Sequence, residues 1–304
     1  MHIDGYMVLG SAVVGLLVGL TGAGGGALMT PMLIFMFGVT PTAAISSDLV
    51  AAVVMRPVGA AVHLRRRTVN LRLVGWLAIG SVPAAFLGAF LLRALGTGPS
   101  AETRIEIVLG AALLAGATAM VVRTATQRHV GDGIPATELT VRPWPTVLVG
   151  VTGGLMVGLT SVGSGSLMIV LLLFLYPAIA ASGLVGTDLV QAIPLTAAAA
   201  IGQLLFGHVV FAVTLSVIIG SVPAVLVGSL LSSRAPDRLL RPVIFYVLLA
   251  SGLKYVGVGT TALAWTMGIV LATSAAGWLW WRRRTAARVS RRAAGTPSRS
   301  PASG

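Results

Sequence analysis

The sequence predicts an all-α polytopic membrane protein. It reads as two inverted repeats, each with a Gly-rich broken or re-entrant helical hairpin, plus one extra C-terminal transmembrane helix. Three observations carry that prediction. Hydrophobic residues fill 56% of the 304 positions and charged residues only 10%, too few charges for a soluble surface. Apolar runs long enough for a hydrocarbon core of about 30 Å recur from end to end. The stretch Gly19-Leu20-Thr21-Gly22-Ala23-Gly24-Gly25-Gly26-Ala27-Leu28-Met29 returns as Gly158-Leu159-Thr160-Ser161-Val162-Gly163-Ser164-Gly165-Ser166-Leu167-Met168, at a constant offset of 139 residues.

In chain order, apolar elements fall at 6–20, 26–38, 41–63, 70–92 and 103–122, making a first membrane repeat over 6–122. A polar linker, 123–143, contains Asp132-Gly133 and Pro135. The second repeat, 144–257, holds elements at 145–160, 165–177, 179–205, 210–232 and 239–257, and an additional transmembrane helix covers 258–281. Trp278, Trp280 and Trp281 before Arg282 read as an interfacial anchor. The tail 282–304, rich in Arg, Ser, Pro and Ala, is expected to be disordered and cytoplasmic. Beyond the glycine loops, Ser47-Asp48-Leu49-Val50 answers Thr187-Asp188-Leu189-Val190, and Gly80-Ser81-Val82-Pro83-Ala84 answers Gly220-Ser221-Val222-Pro223-Ala224. Both pairs are 140 apart, so one residue is inserted after the loop.

Charge sets the orientation. Seventeen of the 21 basic residues lie in 63–72, 123–142, 234–241 and 282–299; by the positive-inside rule these segments are cytoplasmic. The first repeat then begins outside and the second inside. The protein is predicted to be a multi-pass cell-membrane protein with an extracytoplasmic N-terminus and a cytoplasmic C-terminus. No basic n-region precedes the first apolar stretch, so no cleaved signal peptide is expected. Zero cysteines exclude disulfides and thiolate metal sites. The short segments beside each glycine loop fit either two thin spans or a re-entrant hairpin; the re-entrant form gives seven crossings and two hairpins.

Paired, Gly-interrupted apolar segments in two halves point to a transporter's binding site. Exposed backbone N–H and C=O groups are tolerated at membrane depth only where they line a cavity or are buried in protein. Thr21, Gly22, Gly24, Gly25 and Gly26 of the first loop, with Thr160, Ser161, Gly163, Ser164 and Gly165 of the second, are therefore candidate substrate contacts. Asp48 and Asp188 enter from opposite faces to depths of about 10 and 14 Å at 1.5 Å per residue. Intramembrane charge is costly unless paired or hydrated. Both Asp residues are candidate proton carriers, because a low-dielectric site favours the protonated form of an acid. They also read as helix N-caps behind Ser47 and Thr187. Arg56, eight residues past Asp48 on a similar face, can grip an oxyanion in a fork that Lys cannot form, or serve as a structural partner of an Asp. Gln191 joins the candidate binding residues. Glu106 reads as a first-turn acid, and His63, aligned with Gln203, as an interfacial residue. Gly22-Ala23-Gly24-Gly25-Gly26-Ala27 formally matches the G-x-G-x-x-A dinucleotide pattern, but that motif needs a preceding strand and a solvent-facing βαβ unit.

With these motifs in hand, the chain resembles the sulfite exporter TauE/SafE family of membrane permeases. The matching residues are Gly19 to Gly26 with Pro31, Ser47-Asp48-Leu49, Arg56-Pro57-Val58-Gly59-Ala60 with His63, and Gly80-Ser81-Val82-Pro83 with their second copies. The resemblance covers about residues 6–257. It implies a permease for a small, mostly sulfur-bearing anion such as sulfite or a sulfonate. Asp at 48 and 188 departs from the commoner Ser.

The expected function is a secondary transporter of a small anion, working by alternating access with proton coupling. No ATP-binding motif is present, and no cofactor is expected. The expected partners are the small anionic substrate and membrane lipid, the latter drawn to the basic tail; no nucleic acid is expected and oligomeric state stays open. Two rivals differ in class. An intramembrane aspartyl protease would use Asp48 and Asp188, but it has no need of repeat-equivalent glycine loops. A non-transporting membrane scaffold would need no substrate site at all.

Overall fold

The computed structural model describes residues 4–21, 25–65, 69–96, 98–127, 134, 138–165, 167–231 and 237–273. Among them there is no named strand, only an isolated bridge between Ile134 and Ile179. The helices are α1 (Gly5–Thr21), α2 (Gly26–Phe37), α3 (Pro41–Arg65), α4 (Leu71–Ala94), α5 (Pro99–Gln127), α6 (Pro143–Thr160), α7 (Leu167–Leu175), α8 (Ala181–Phe206), α9 (Phe211–Leu231), α10 (Asp237–Tyr255) and α11 (Thr260–Thr273). Residues 1–257 form one compact unit, and residues 258–304, of which α11 is described, form another.

Local chemistry sets the ends. Asp4 Oδ1 accepts from the Tyr6 N–H at 2.9 Å and starts α1. Asn70 Oδ1 accepts from the Leu73 N–H at 3.0 Å and starts α4. Gly38, at φ 63°, stops α2 with its N–H on the Ile34 carbonyl, the left-handed cap that glycine adopts without steric cost. Among the described residues, six helices are long and apolar enough to cross a membrane: α3, α4, α5, α6, α8 and α9. Their large apolar side chains, among them Leu87, Phe90, Leu215 and Leu230, face outward, as a lipid-facing surface requires. The presence of α6 in this set differs from its expected role as the short arm of a hairpin. Its 18 residues, Pro143–Thr160, run without interruption up to the loop, and at 1.5 Å per residue that is about 27 Å.

Two helix pairs pack backbone to backbone. A Cβ on Gly154 of α6 would strike the Ser81 carbonyl of α4, and one on Gly158 would strike that of Ala85. At the repeat offsets, Gly15 of α1 meets Ser221 of α9, and Gly19 meets Val225. Residue numbers rise together in each pair, so α4 and α6 run parallel, as do α1 and α9. Small residues let the backbones approach where lipid supplies no hydrophobic drive between helices. Each half thus lends its first helix to the fourth helix of the other.

The repeat-equivalent helices α3 and α8 also pack on each other. Near the start of α3, Ser46 Oγ donates to Gln203 Oε1 at 2.8 Å, close to the end of α8. Near the start of α8, Thr187 Oγ1 accepts from the Asn70 N–H at 3.3 Å, just beyond α3. The counterpart of that bond is Ser47 Oγ accepting from the Val210 N–H, also at 3.3 Å. α3 and α8 therefore run antiparallel.

Two expectations are corrected. Asp48 and Asp188 do not cap their helices: α3 begins at Pro41 and α8 at Ala181, which places both acids inside regular helix. Ser47 and Thr187 instead satisfy backbone N–H groups just ahead of α9 and α4. The first-turn acid of α5 is Glu102, not Glu106, because the helix starts at Pro99; Glu102 Oε1 accepts from Thr42 Oγ1 at 2.7 Å. Gly22, Gly24, the Trp278–Trp281 anchor and the basic tail lie outside the described residues, as does the His63 side chain.

The backbone contacts generate a matched test. Gly80 and Gly220 face the Val147 and Val8 carbonyls, whereas nothing lies within 4 Å of a Cβ built on Gly75. Gly80→Val and Gly220→Val are expected to cost about 3 kcal/mol each through overpacking, read as thermal unfolding in detergent. Gly75→Ala in the same helix should leave the melting curve in place.

Candidate functional site

The two glycine loops meet. α1 ends at Thr21 and α2 begins at Gly26; α6 ends at Thr160 and α7 begins at Leu167. A Cβ on Gly26 would fall on the Ser161 carbonyl oxygen, so the loop backbones touch across the halves. The second loop turns through left-handed geometry, with Ser161 at φ 60°, Gly163 at 129° and Gly165 at 88°. A side chain has room at Gly163, where the nearest atoms to a Cβ lie at 3.5 Å; the backbone angle is what calls for glycine there. Gly25, Gly26, Gly163 and Gly165 are buried. The two threonines turn back on their own helices. Thr21 Oγ1 donates to the Leu17 carbonyl and Thr160 Oγ1 to the Met156 carbonyl, each at 2.7 Å, while Thr160 also accepts from the Val162 N–H at 3.2 Å.

Asp48 of α3 ties the loop to the first half. Its Oδ2 accepts from Ser161 Oγ at 2.7 Å and from Thr30 Oγ1 of α2 at 3.1 Å. Its Oδ1 is buried without a hydrogen-bond partner. Two turns further along α3, Arg56 is only 8% exposed, and its Nε and Nη2 have no partner. Those two nitrogens form one edge of the planar guanidinium, the side-on fork that grips an oxyanion bidentately. Asp188 of α8 and Asp48 both act electrostatically on this cation, Asp188 the more strongly. On the same face of α8, Gln191 Nε2 donates to Ser81 Oγ of α4 at 2.6 Å, and its Oε1 is left without a partner. The Ser164 hydroxyl is likewise buried and unpartnered. Leaving a buried polar group unmade costs about 1–3 kcal/mol, more when it is charged. Unpartnered polar groups of this kind are what a bound polar ligand would complete.

Sequence reasoning did not single out Thr30 or Ser81, although each is a hydroxyl inside an apolar run and Ser81 belongs to a repeated motif. What neither sequence pattern nor repeat predicted is the asymmetry. At the repeat offsets, Thr30 becomes Ile169, Ser161 becomes Gly22, Arg56 becomes Thr196 and Gln191 becomes Ala51. The scaffold and the acids Asp48 and Asp188 are duplicated, while these four polar residues are not. Among the described residues, no group of three His, Cys, Asp or Glu side chains could hold a metal ion.

Comparison with known proteins agrees with this picture. The family model for "Sulfite exporter TauE/SafE" matches residues 7–255. The chain is 38% identical over 252 residues to the probable membrane transporter protein YjnA of Bacillus subtilis (strain 168), covering 82% of this chain and 98% of that protein. It is 23% identical over 252 residues to the probable membrane transporter protein YdhB of the same organism, covering 81% and 98%. No solved structure matches.

The Asp48 cluster predicts a measurable coupling. Ser161→Ala and Thr30→Val each remove one hydroxyl from a buried carboxyl and should destabilise the protein by about 1–3 kcal/mol. In a double-mutant cycle the two losses should be non-additive, since both hydroxyls serve the same oxygen. Additive losses would show that the two hydroxyls act independently of Asp48.

Proposed function

This chain belongs to the sulfite exporter TauE/SafE family, and on that premise we propose that it is a secondary transporter of a small anion. Sulfite or another sulfur oxyanion or sulfonate is the substrate class, and alternating access with proton coupling is the mechanism. The observation that carries this reading is the open edge of Arg56, a buried guanidinium whose Nε and Nη2 lack partners, two turns along α3 from Asp48, whose carboxyl bonds the second loop. The loop backbone contributes donors of the kind found at helix N-termini, which attract anions. Asp48 or Asp188 carries the coupling proton.

The repeats are inverted across the membrane. Antiparallel packing of α3 on α8, with equivalent hydrogen bonds on both sides, supports that arrangement. The parallel pairs support it as well: the charge-derived orientation sends α4 and α6 outward and α1 and α9 inward, and each pair runs in one direction as it must. The two breaks then meet between the repeats, where inverted repeats place a shared site.

The orientation predicts that reporters placed after Arg67, after Arg234 and at the C-terminus read cytoplasm. Reporters at the N-terminus and at 97–101 should read the outside. An N-terminus found inside would exclude the inverted arrangement.

The substrate reading is tested in proteoliposomes with labelled sulfite, thiosulfate and a two-carbon sulfonate, with chloride as control. Saturable flux of at least one sulfur anion is expected, and its complete absence would overturn the proposal. Arg56→Lys keeps the charge and loses the fork, so flux should fall at least about tenfold, equivalent to about 1.4 kcal/mol of barrier. Wild-type flux in Arg56→Lys would assign the arginine a structural role.

A further inference from the structure

A helix that stops inside a protein leaves its last carbonyls without N–H partners from its own chain direction, and each must find one elsewhere. At the end of α6 the chain leaves the helix at Ser161, whose φ is 60°. The Val157 carbonyl is met by the Ser161 N–H at 2.7 Å. The Val162 N–H, which would reach Gly158 in a continued helix, turns instead to Thr160 Oγ1 at 3.2 Å. The buried Gly158 carbonyl is met by a side chain of another helix: Gln203 Nε2 of α8 donates to it at 3.1 Å.

The orientation of that amide follows from its partners. A carbonyl only accepts, so Nε2 faces Gly158 and Oε1 is left to accept, which it does from Ser46 Oγ of α3 at 2.8 Å. Gln203 and Ser46 are both fully buried. Gly207, just past α8, closes over the pair: a Cβ there would fall on Gln203 Oε1 and lie 2.6 Å from Ser46 Oγ. Its φ of −86° suits any residue, so space and not backbone angle calls for glycine. Two links therefore tie the second break to α3. Ser161 reaches Asp48 directly at 2.7 Å, and Gly158 reaches Ser46 through Gln203. The repeat holds no like copy of the second link, since the counterparts of Ser46, Gln203 and Gly158 are Gly186, His63 and Gly19.

We propose that Gln203 is a positioning residue of the transport site: it caps α6 from α8, rests on Ser46, and so holds the second loop where that loop meets the substrate anion. This rests on the transport reading, in which the loop supplies donors to the anion, and adds a residue that acts on the anion only through the loop. Without the amide, the Gly158 carbonyl is buried and unmade, which is costly. The glycine-rich segment just beyond it is the part free to shift in response. Ser46 acts only through the amide, by fixing Oε1.

The test uses the full-length protein. The chain has no cysteine, so Ser164→Cys places a single thiol in the loop, at a position 3% exposed. Labelling by a small maleimide should be slow in that background and about tenfold faster with Gln203→Met, the scale of one buried hydrogen bond. Ser216→Ala removes a buried hydroxyl that bonds its own helix at 2.8 Å and should leave the labelling rate and the KM for sulfite unchanged. In proteoliposomes Gln203→Met, with Ser164 intact, should raise the KM for sulfite about tenfold and keep the maximal rate per folded protein within about threefold. Ser46→Ala should raise KM by less, and add nothing in the Gln203→Met background. If Gln203→Met does not fold, Gly207→Ala, which crowds the amide without deleting a polar group, should give the same two changes. Unchanged labelling, a wild-type KM, or a Ser46→Ala effect that persists without Gln203 overturns the proposal. Faster labelling with no flux for any anion of the panel instead overturns the transport reading and leaves the hold of Gln203 on the loop standing.

Discussion

The fold depends on backbone touching backbone. Between lipid-facing helices there is no water to expel, so association rests on close packing and hydrogen bonds. α1 against α9 and α6 against α4 achieve this by presenting glycines to carbonyl oxygens. The pairs cross between the two halves of the chain, so neither half holds its own broken helix. α1 and α6 can therefore end inside the protein, at Thr21 and Thr160, because a continuous helix of the opposite half runs alongside. The described residues at the breaks, Gly25, Gly26, Gly163 and Gly165, are buried in protein, the condition under which irregular backbone survives inside a membrane.

Where the breaks meet, the duplicated scaffold carries partly unduplicated chemistry. Gly26 and Ser161 touch as backbones, but Thr30 and Arg56 come only from the first half and the Ser161 side chain only from the second. The repeat thus has two separable consequences. Residues that set helix packing, such as Gly80 and Gly220 or Gly15 and Gly154, are kept in register by a geometric demand that is the same in both halves. Among the polar residues, Asp48 with Asp188 and Ser81 with Ser221 are kept, whereas Arg56 is answered by Thr196, and Thr30, Ser161 and Gln191 by Ile169, Gly22 and Ala51. The pairs Arg56/Thr196 and Gln191/Ala51 show that division within single helices.

The same contrast explains what could be read from sequence. Composition, the offset of the glycine loops and the positions of Arg and Pro gave the number and order of the membrane elements. They also gave the family resemblance that the comparisons then bore out. The buried acids and Arg56 were legible as intramembrane charges, since a charge inside an apolar run is conspicuous in one dimension. The helix-capping reading of Asp48 and Asp188 was not correct, because α3 and α8 start a further turn or two upstream. The element bounds 41–63 and 179–205 already placed both acids about two turns inside a helix, which the capping reading overlooked. Glu106 was displaced by Glu102 because α5 starts at Pro99, ahead of the expected 103.

What the sequence by itself determined is local and periodic: membrane helices, their interruption at two matched glycine stretches, and the residue types available for chemistry. Only the tertiary structure decided which partners those residues have. That Asp48 meets Ser161, 113 residues away, and Thr30 rather than Arg56 alone follows from how α2, α3 and the second loop are stacked. That the guanidinium edge of Arg56 is left open follows from the same stacking. The physical reason is that a repeat constrains backbone geometry through neighbours close in sequence, whereas a buried polar group is satisfied or left unsatisfied by whatever the folded chain brings within hydrogen-bond distance.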